Sequence, residues 1–279
     1  MLKISIIQNP GPEEYESQSI ASSLMRRGAD VNVTTASGVA SLPDIALIRN
    51  TKGADYKYLK ALEHAGVRFI NKLETHYLVS DKWLKYDRLM KADMRVPKTL
   101  LIPIPFDDYH PEQIGDELGY PCVLKRRYGA YGIGVELCQS ETHLYSIAKK
   151  FAKEFNDTTM LAQKYINYSP DYMSLGWVNG EMRAHVAKAP NGDNSFLSYK
   201  KPEHLSSRKP YPINSQLRDI VTSALKHVEI ELARVDILFN NDGYVICEIN
   251  SPGGFRGFEK VHSIDMGDII ASYIMDSAK

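Results

Sequence analysis

The sequence carries no excess of either charge: 34 lysines and arginines balance 34 aspartates and glutamates over 279 residues, with a pI of about 7.1. No bulk field therefore steers the chain toward nucleic acid or an anionic membrane. Cysteine is scarce, and Cys122, Cys138 and Cys247 show neither metal-type spacing nor an even count. This argues against a disulfide framework or zinc site and for free thiols within strands, in a reducing, cytoplasmic setting. No apolar run approaches the length of a membrane span. The N-terminus reaches a strand without a signal-peptide pattern, and no repeat or low-complexity tract occurs. Two nucleotide fingerprints are missing as well. The first strand–helix turn lacks G-x-G-x-x-G, which removes the main support for a dehydrogenase, and no G-x-x-x-x-G-K-[ST] loop is present.

What is present is ordinary globular material, 43% apolar and 24% charged, enough for two or more lobes with real cores. Apolar strands at 2–8, 31–35, 44–49 and 67–70 alternate with helical spacing at 13–27 and 55–65. That order predicts a parallel, Rossmann-like sheet. Ligands of such sheets gather at strand carboxyl ends, which makes Arg49 a candidate substrate contact. Lys82 opens a helix over 83–91. Farther on, residues 120–125 form a strand that ends in Lys125. Gly129, Gly132 and Gly134 follow, and strand character resumes at 135–138. Such a hairpin can fold backbone N–H groups over phosphates while the lysine adds a point charge.

The most specific stretch is 233–260, ARVDILFNNDGYVICEINSPGGFRGFEK. Strands at 233–240 and 244–249 flank Asn241-Asp242-Gly243, a hairpin signal. A three-residue loop ending in Gly243 pairs Asn240 with Tyr244 and sets Asp236 across from Glu248. Asp236, Glu248 and Asn250 then project from one face. A two-residue Asp242-Gly243 loop would instead pair Asp236 with Ile249 and scatter the three. Two carboxylates and an amide oxygen on one rigid face suit a hard cation such as Mg2+ held together with phosphate.

VDI, EINSPG, and GFEK followed by IDM, together with Lys125 and its glycine loop, resemble ATP-grasp ligases. The likeness is greatest to the RimK-like (ribosomal-protein glutamate ligase-like) carboxylate–amine ligases. The resemblance implies an ATP-grasp fold of mixed α/β and α+β class. A Rossmann-like preATP-grasp lobe would span 1–80, an ATP-grasp lobe with the phosphate lid 81–166, and a lobe with the metal hairpin 167–279. It implies ATP and Mg2+ as cofactors, with Mn2+ able to substitute, and Asp236, Glu248 and Asn250 as metal ligands. Nucleotide contacts would come from Lys82, Lys125, Gly129, Gly132 and Gly134. Gln163, Lys164, Tyr165 and Ile166 would form the linker that reads adenine, and Asp171 would lie near ribose. The family often has Gln-Glu where this chain has Gln163-Lys164, and an arginine where it has Met173. Arg183 is a candidate to replace that lost charge, with Lys188 and Arg256 as further catalytic cations. His185 reads as a packed or exposed strand histidine rather than a base. The loop-rich stretch 189–212 would receive the acceptor, with Lys200, Lys201 and Arg208 as candidates.

The reaction so implied is ATP-dependent amide formation through an acylphosphate. Its partners would be ATP, an amino-acid, peptide or small-carboxylate acceptor, and an amine donor, with neither nucleic acid nor membrane. A homo-oligomer is compatible with this. Two alternatives stay open. One is a kinase of the same fold that phosphorylates a hydroxyl. The other is a nucleotide-binding module without chemistry, motivated by Met173 and the poorly matched 189–212 loop.

Overall fold

Short apolar runs set the architecture. In the computed structural model of the chain, residues 1–9, 14–49, 55–104, 111–129, 132–168, 171–187 and 208–279 are described. The runs KISII and IALI form β1 (Lys3–Ile7) and β3 (Ile45–Ile48), which bury nearly every side chain, as central parallel strands do. With β2 (Asp30–Thr34) and β4 (Arg68–Ile70) they make a parallel sheet of order β2-β1-β3-β4. Helix α1 (Tyr15–Arg26) follows β1 and α2 (Tyr56–His64) follows β3, the expected alternation.

Two further helices, α3 (Leu73–Ser80) and α4 (Lys82–Lys91), lead into a second sheet. Its order is β5-β8-β6-β7, from β5 (Thr99–Pro103), β6 (Cys122–Arg126), β7 (Val135–Cys138) and β8 (Thr159–Lys164). Helices α5 (Pro111–Leu118) and α6 (Glu141–Phe155) supply core residues against it, including Ile114, Leu118, Leu144 and Phe151.

The third sheet has the order β11-β10-β9-β12-β13. Its strands are β9 (Tyr172–Val178), β10 (Glu181–Ala187), β11 (Lys209–Tyr211), β12 (Leu232–Asn240) and β13 (Gly243–Asn250). Helix α7 (Ser215–His227) packs its Leu217, Val221, Ala224 and Leu225 onto one face. The chain closes with α8 (Arg256–His262) and α9 (Met266–Ser277). Met266, Ile270 and Ile274 of α9 join Ile20 and Leu24 of α1 in one core, so both ends of the chain build the first lobe. All three cysteines are free. Among the described residues, no helix is long and apolar enough to cross a membrane.

Candidate active site

In an antiparallel sheet, residues directly opposite one another share a face, and so do residues two apart on a strand. The register of the third sheet therefore assembles two parallel rows. His185 lies opposite Ser174, Ser174 opposite Asp236, and Asp236 opposite Glu248. The neighbouring row runs Arg183, Gly176, Arg234, Asn250. The reverse face of β12 and β13 is core, where Ala233, Val235 and Ile237 meet Tyr244, Ile246 and Ile249. Apolar burial on one side thus fixes the polar side chains on the other. Gly176 leaves a gap in its row that the Phe258 ring fills, 3.5 Å from where a Cβ would stand. The same ring packs at a tilt against His185, with centroids 4.6 Å apart, so α8 covers the β9–β10 end of the rows.

The route by which Asp236 meets Glu248 differs from the expected one. The turn is the two-residue Asn241-Asp242, which pairs Asn240 with Gly243; no three-residue loop pairs Asn240 with Tyr244. Carried back regularly, this register would set Asp236 against Cys247. The ladder instead shifts between Asp236 and Ile237, so that Cys247 is the extra residue of a β-bulge. The shift changes which face each residue takes. On β13 the core residues are Tyr244 and Ile246 before the bulge and Ile249 after it. Glu248 and Asn250 would follow Tyr244 and Ile246 into the core without it. An apolar spacing of two and then three is the trace of this bulge in the sequence.

β13 is an edge strand, and α4 covers that edge. The Ile246 N–H donates to the Arg95 carbonyl (2.9 Å), just beyond α4. The Tyr86 hydroxyl donates to the Cys247 carbonyl, and Lys85 Nζ donates to the carbonyls of Ile249 (2.9 Å) and Val79 (3.3 Å). Lys85 and Tyr86 are each only 1% exposed. Lys82 lies on the preceding turn, 3.9 Å from Glu248 Oε1, and donates to the Gly129 carbonyl. Lys125 is buried at the end of β6. Burial by itself would raise the Glu248 carboxyl, but Lys85, Lys82 and Lys125 outweigh it and hold the group below its ordinary value. Burial lowers both Lys82 and Lys85, the latter to about 8, although Glu248 pulls each the other way.

The glycine loop is moored to the same helix. Asp81 caps α4 by accepting the amides of Trp83 (2.9 Å) and Leu84 (3.2 Å). Its carboxylate also accepts from Arg127 Nε (2.9 Å) and Nη2 (2.6 Å) and from the Tyr128 hydroxyl (2.8 Å). Burial opposes ionisation of Asp81, yet these bonds hold it below its ordinary value. Arg126 forks onto Asp157 at 2.5 and 3.0 Å. Gly134 closes the loop at φ +69°, where a Cβ would lie 2.3 Å from Arg126 Cδ. Only glycine fits both constraints.

The remaining expected residues are dispersed. Gln163 and Lys164 are the last two residues of β8, where the connection to the third sheet starts. Gln163 is paired with Thr99 and Val123 on its two sides, and its side chain donates to Thr99 Oγ1 (2.8 Å). The connection to the third sheet begins at Tyr165 and Ile166, both half-buried, and half-buried Asp171 immediately precedes β9. Gly129 and Gly132 both take positive φ in the loop. Arg183 stands in the second row and donates to Glu181 (3.0 Å). Arg256 does not lie in a loop: it opens α8 and turns toward α1, 4.3 Å over the Tyr15 ring and 4.0 Å from Glu16. Arg49 is buried and donates to the carbonyls of Pro252 and Gly253 (3.3 Å each), tying the first sheet to the loop after β13. Lys188, Lys200 and Lys201 lie outside the described residues. Arg208 reaches over Gly257 beside His185.

Sequence reasoning missed Lys85, Tyr86, Ser174 and Arg234. Ser174 Oγ donates to Asp236 Oδ1 (2.9 Å), and Arg234 Nη2 approaches Oδ2 (3.3 Å). The two-residue step from Arg234 to Asp236 is the signal that would have found the arginine.

The residues present fit a magnesium ion. Among the described residues no group of three or more His, Cys, Asp or Glu could hold a metal. Two register-opposed carboxylates and the Asn250 amide are nonetheless an all-oxygen set, and Mg2+ bound with phosphate asks for only one or two carboxylates. The surrounding lysines suit the phosphates that would complete the shell.

Comparison with known proteins agrees with this geometry. Residues 79–274 match the model of the RimK-like ATP-grasp domain. A probable alpha-L-glutamate ligase of Legionella pneumophila is 28% identical over 248 residues, covering 87% of this chain and 80% of that protein. The crystal structure of a RimK domain protein ATP-grasp from Sphaerobacter thermophilus superposes with a TM-score of 0.72 at 18% identity, covering 98% of this chain and 99% of that one. The ATP-grasp ligase PsnB, complexed with a phosphomimetic variant of its minimal precursor, Mg and ADP, gives a TM-score of 0.72 at 17% identity over 99% and 98% of the two chains. The ATP-grasp fold is therefore present.

Proposed function

Given that the chain belongs to the RimK-like ATP-grasp family and is an ATP-dependent ligase that forms amide bonds, we propose that it joins an amine to the carboxylate of an amino acid or peptide through an acylphosphate. The acceptor carboxylate attacks the γ-phosphate of ATP and releases ADP. The amine then attacks the acyl carbon and releases phosphate. Such chemistry needs positioning and charge neutralisation more than a protein nucleophile.

The observation that carries this reading is the row from Ser174 through Asp236 to Glu248, ringed by Lys82, Lys85 and Lys125. Asp236, Glu248 and Asn250 would hold Mg2+, with Mn2+ able to replace it. The ion, when bound, would neutralise phosphate charge. Lys82 and Lys125 would bind phosphate oxygens, and the loop through Gly129, Gly132 and Gly134 would lie over them and exclude water, which otherwise hydrolyses an acylphosphate. Tyr165 and Ile166 would flank adenine beside the end of β8, where Gln163 and Lys164 lie, and Asp171 would approach ribose. Arg234, on the same face as Asp236, would steady the anion that develops during transfer. Arg183 and Lys188 would contribute charge on the acceptor side, and Arg256 would act from the α1 side. The 81–166 and 167–279 lobes would then close on nucleotide between the second and third sheets, while α9 of the latter stays packed on the 1–80 lobe.

The test incubates the protein with Mg2+, ATP and pools of amino acids, small carboxylates and peptides, and quantifies ADP, free phosphate and product mass together. Equal ADP and phosphate, with a product one water lighter than its parents, is expected. ADP without phosphate, and a substrate that gains a phosphoryl group, would replace the ligase with a kinase. Amide formation that survives Glu248→Ala would remove the metal assignment.

A further inference from the structure

Reading Asp236, Glu248 and Asn250 as a metal face leaves a lysine and a tyrosine behind it unexplained. Lysine is almost never fully buried unless paired, and burying its ammonium is costly. An aliphatic side chain would fill the same position on α4 without that cost. Lys85 is nonetheless 1% exposed, and its direct hydrogen bonds go to backbone carbonyls, those of Val79 and Ile249. Tyr86 does the same for Cys247.

The two gripped carbonyls flank Glu248. They point off the outer edge of β13, where no further strand pairs with them. Left alone they would be buried acceptors without donors. They also bracket the bulge, where the extra residue falls outside the ladder and the backbone has least support from β12. The segment that carries Glu248 and Asn250 is thus the one for which the hairpin itself does least.

We propose that Lys85 and Tyr86 are positioning residues: α4 grips the bulged segment by the carbonyls of Cys247 and Ile249, and this grip fixes the aim of Glu248 and Asn250. The inference rests on the reading of these residues as the metal face. It has a second consequence. Lys82 lies one turn before Lys85 and 3.9 Å from Glu248, so a single helix sets both the phosphate-side lysine and the metal-side carboxylate. The nucleotide and its cation are then placed relative to one rigid body.

The experiment measures Mn2+ binding to the whole protein in the presence of ADP, by electron paramagnetic resonance of free Mn2+. It is paired with the Mg2+ dependence of turnover and with the thermal midpoint. Lys85→Met should weaken Mn2+ binding about 10-fold or more, the range seen when groups that orient metal ligands are removed. The Mg2+ half-saturation point should rise in parallel, with KM for ATP at saturating metal nearly unchanged. Lys85→Gln keeps one donor for a carbonyl and should recover part of the loss. Tyr86→Phe should shift Mn2+ binding the same way by about 3-fold, and it carries the test should Lys85→Met fail to fold. A lowered midpoint with wild-type Mn2+ binding in the folded variants would overturn the inference. Glu248→Gln separates the two levels of argument. If it loses Mn2+ while the α4 variants do not, only the grip is wrong; if it too binds as wild type, the metal face is wrong and the grip with it.

Discussion

The hairpin β12–β13 and the hairpin β6–β7 approach the same lysines by different means. The first has a two-residue turn, strand neighbours along β12 and a bulge held from behind by α4, so its polar face is set by backbone register. The second has a long glycine loop whose attachments are side chains: Arg127 and Tyr128 on Asp81, Arg126 on Asp157, and Lys82 on the Gly129 carbonyl. Register cannot be undone without unpairing strands, whereas side-chain tethers can be released one at a time. Oxygen ligands must be placed within a fraction of an ångström, and a cover must open to admit nucleotide. The two constructions match the metal-holding and covering roles proposed for them.

Substitutions can break each side of this contrast separately. Asp236→Asn should have the largest effect, lowering kcat for amide formation about 100-fold or more while the thermal midpoint stays close to that of the parent protein. Steady-state turnover and calorimetry on one sample would check the split. Asp81→Asn should act on the other hairpin, raising KM for ATP about 10-fold with a smaller change in kcat and increasing proteolytic cleavage near Arg127. Equal effects on kcat in the two variants would erase the distinction.

Acid should discriminate next. His185 is buried at the far end of the row that carries Asp236 and Glu248, and burial with Arg208, His262 and Arg234 holds it down to about 3. A folded value below the unfolded one means that its contribution is complete above about 6.5 and is lost as pH falls toward the folded value. By pH 5 the loss is about 2 kcal/mol. Asp81 is also held below its ordinary value, but as a carboxylate it keeps its charge through that window. Chemical denaturation between pH 7 and 5 should therefore show a loss before the Asp81 tethers respond, with buried His76, held down to about 4, adding to it, and His185→Phe should flatten part of the curve. Gly134→Ala should be the smallest change, about 1 kcal/mol in unfolding free energy, because a Cβ meets Arg126 at a positive φ.

Much of this architecture is legible in the chain. KISII and IALI announce buried parallel strands, and the run from Lys125 through three glycines announces a hairpin closed by a glycine loop. The pairing of Asp236 with Glu248 is legible too, but by an incomplete route. Asn-Asn-Asp-Gly is compatible with more than one turn, and the register is corrected by a bulge that α4 grips from about 160 residues away in sequence. Lys85 and Tyr86 are hidden for the same reason. On KWLKYDRLMK a lysine reads as part of a solvated face, and nothing local reveals that the face meets a strand edge. Arg256 misleads in the opposite sense, since the glycines around it suggest an open loop whereas the chain enters α8 and turns the side chain toward Tyr15.

Cys247 carries one last consequence, for how relatives of this chain are aligned. Its side chain supplies neither a core contact of the hairpin nor a ligand, so many residue types could stand there. Its place in the count is another matter. Remove it, and the bulge goes with it: the ladder carried back from Asn240 and Gly243 would set Glu248 directly against Asp236, with Ile249 still in the core. A one-residue gap drawn at this point would therefore join a bulged strand to a regular one whose residues on either side face the same way. What such a deletion would change is the outer edge, because the carbonyls that Tyr86 and Lys85 hold would no longer bracket an extra residue.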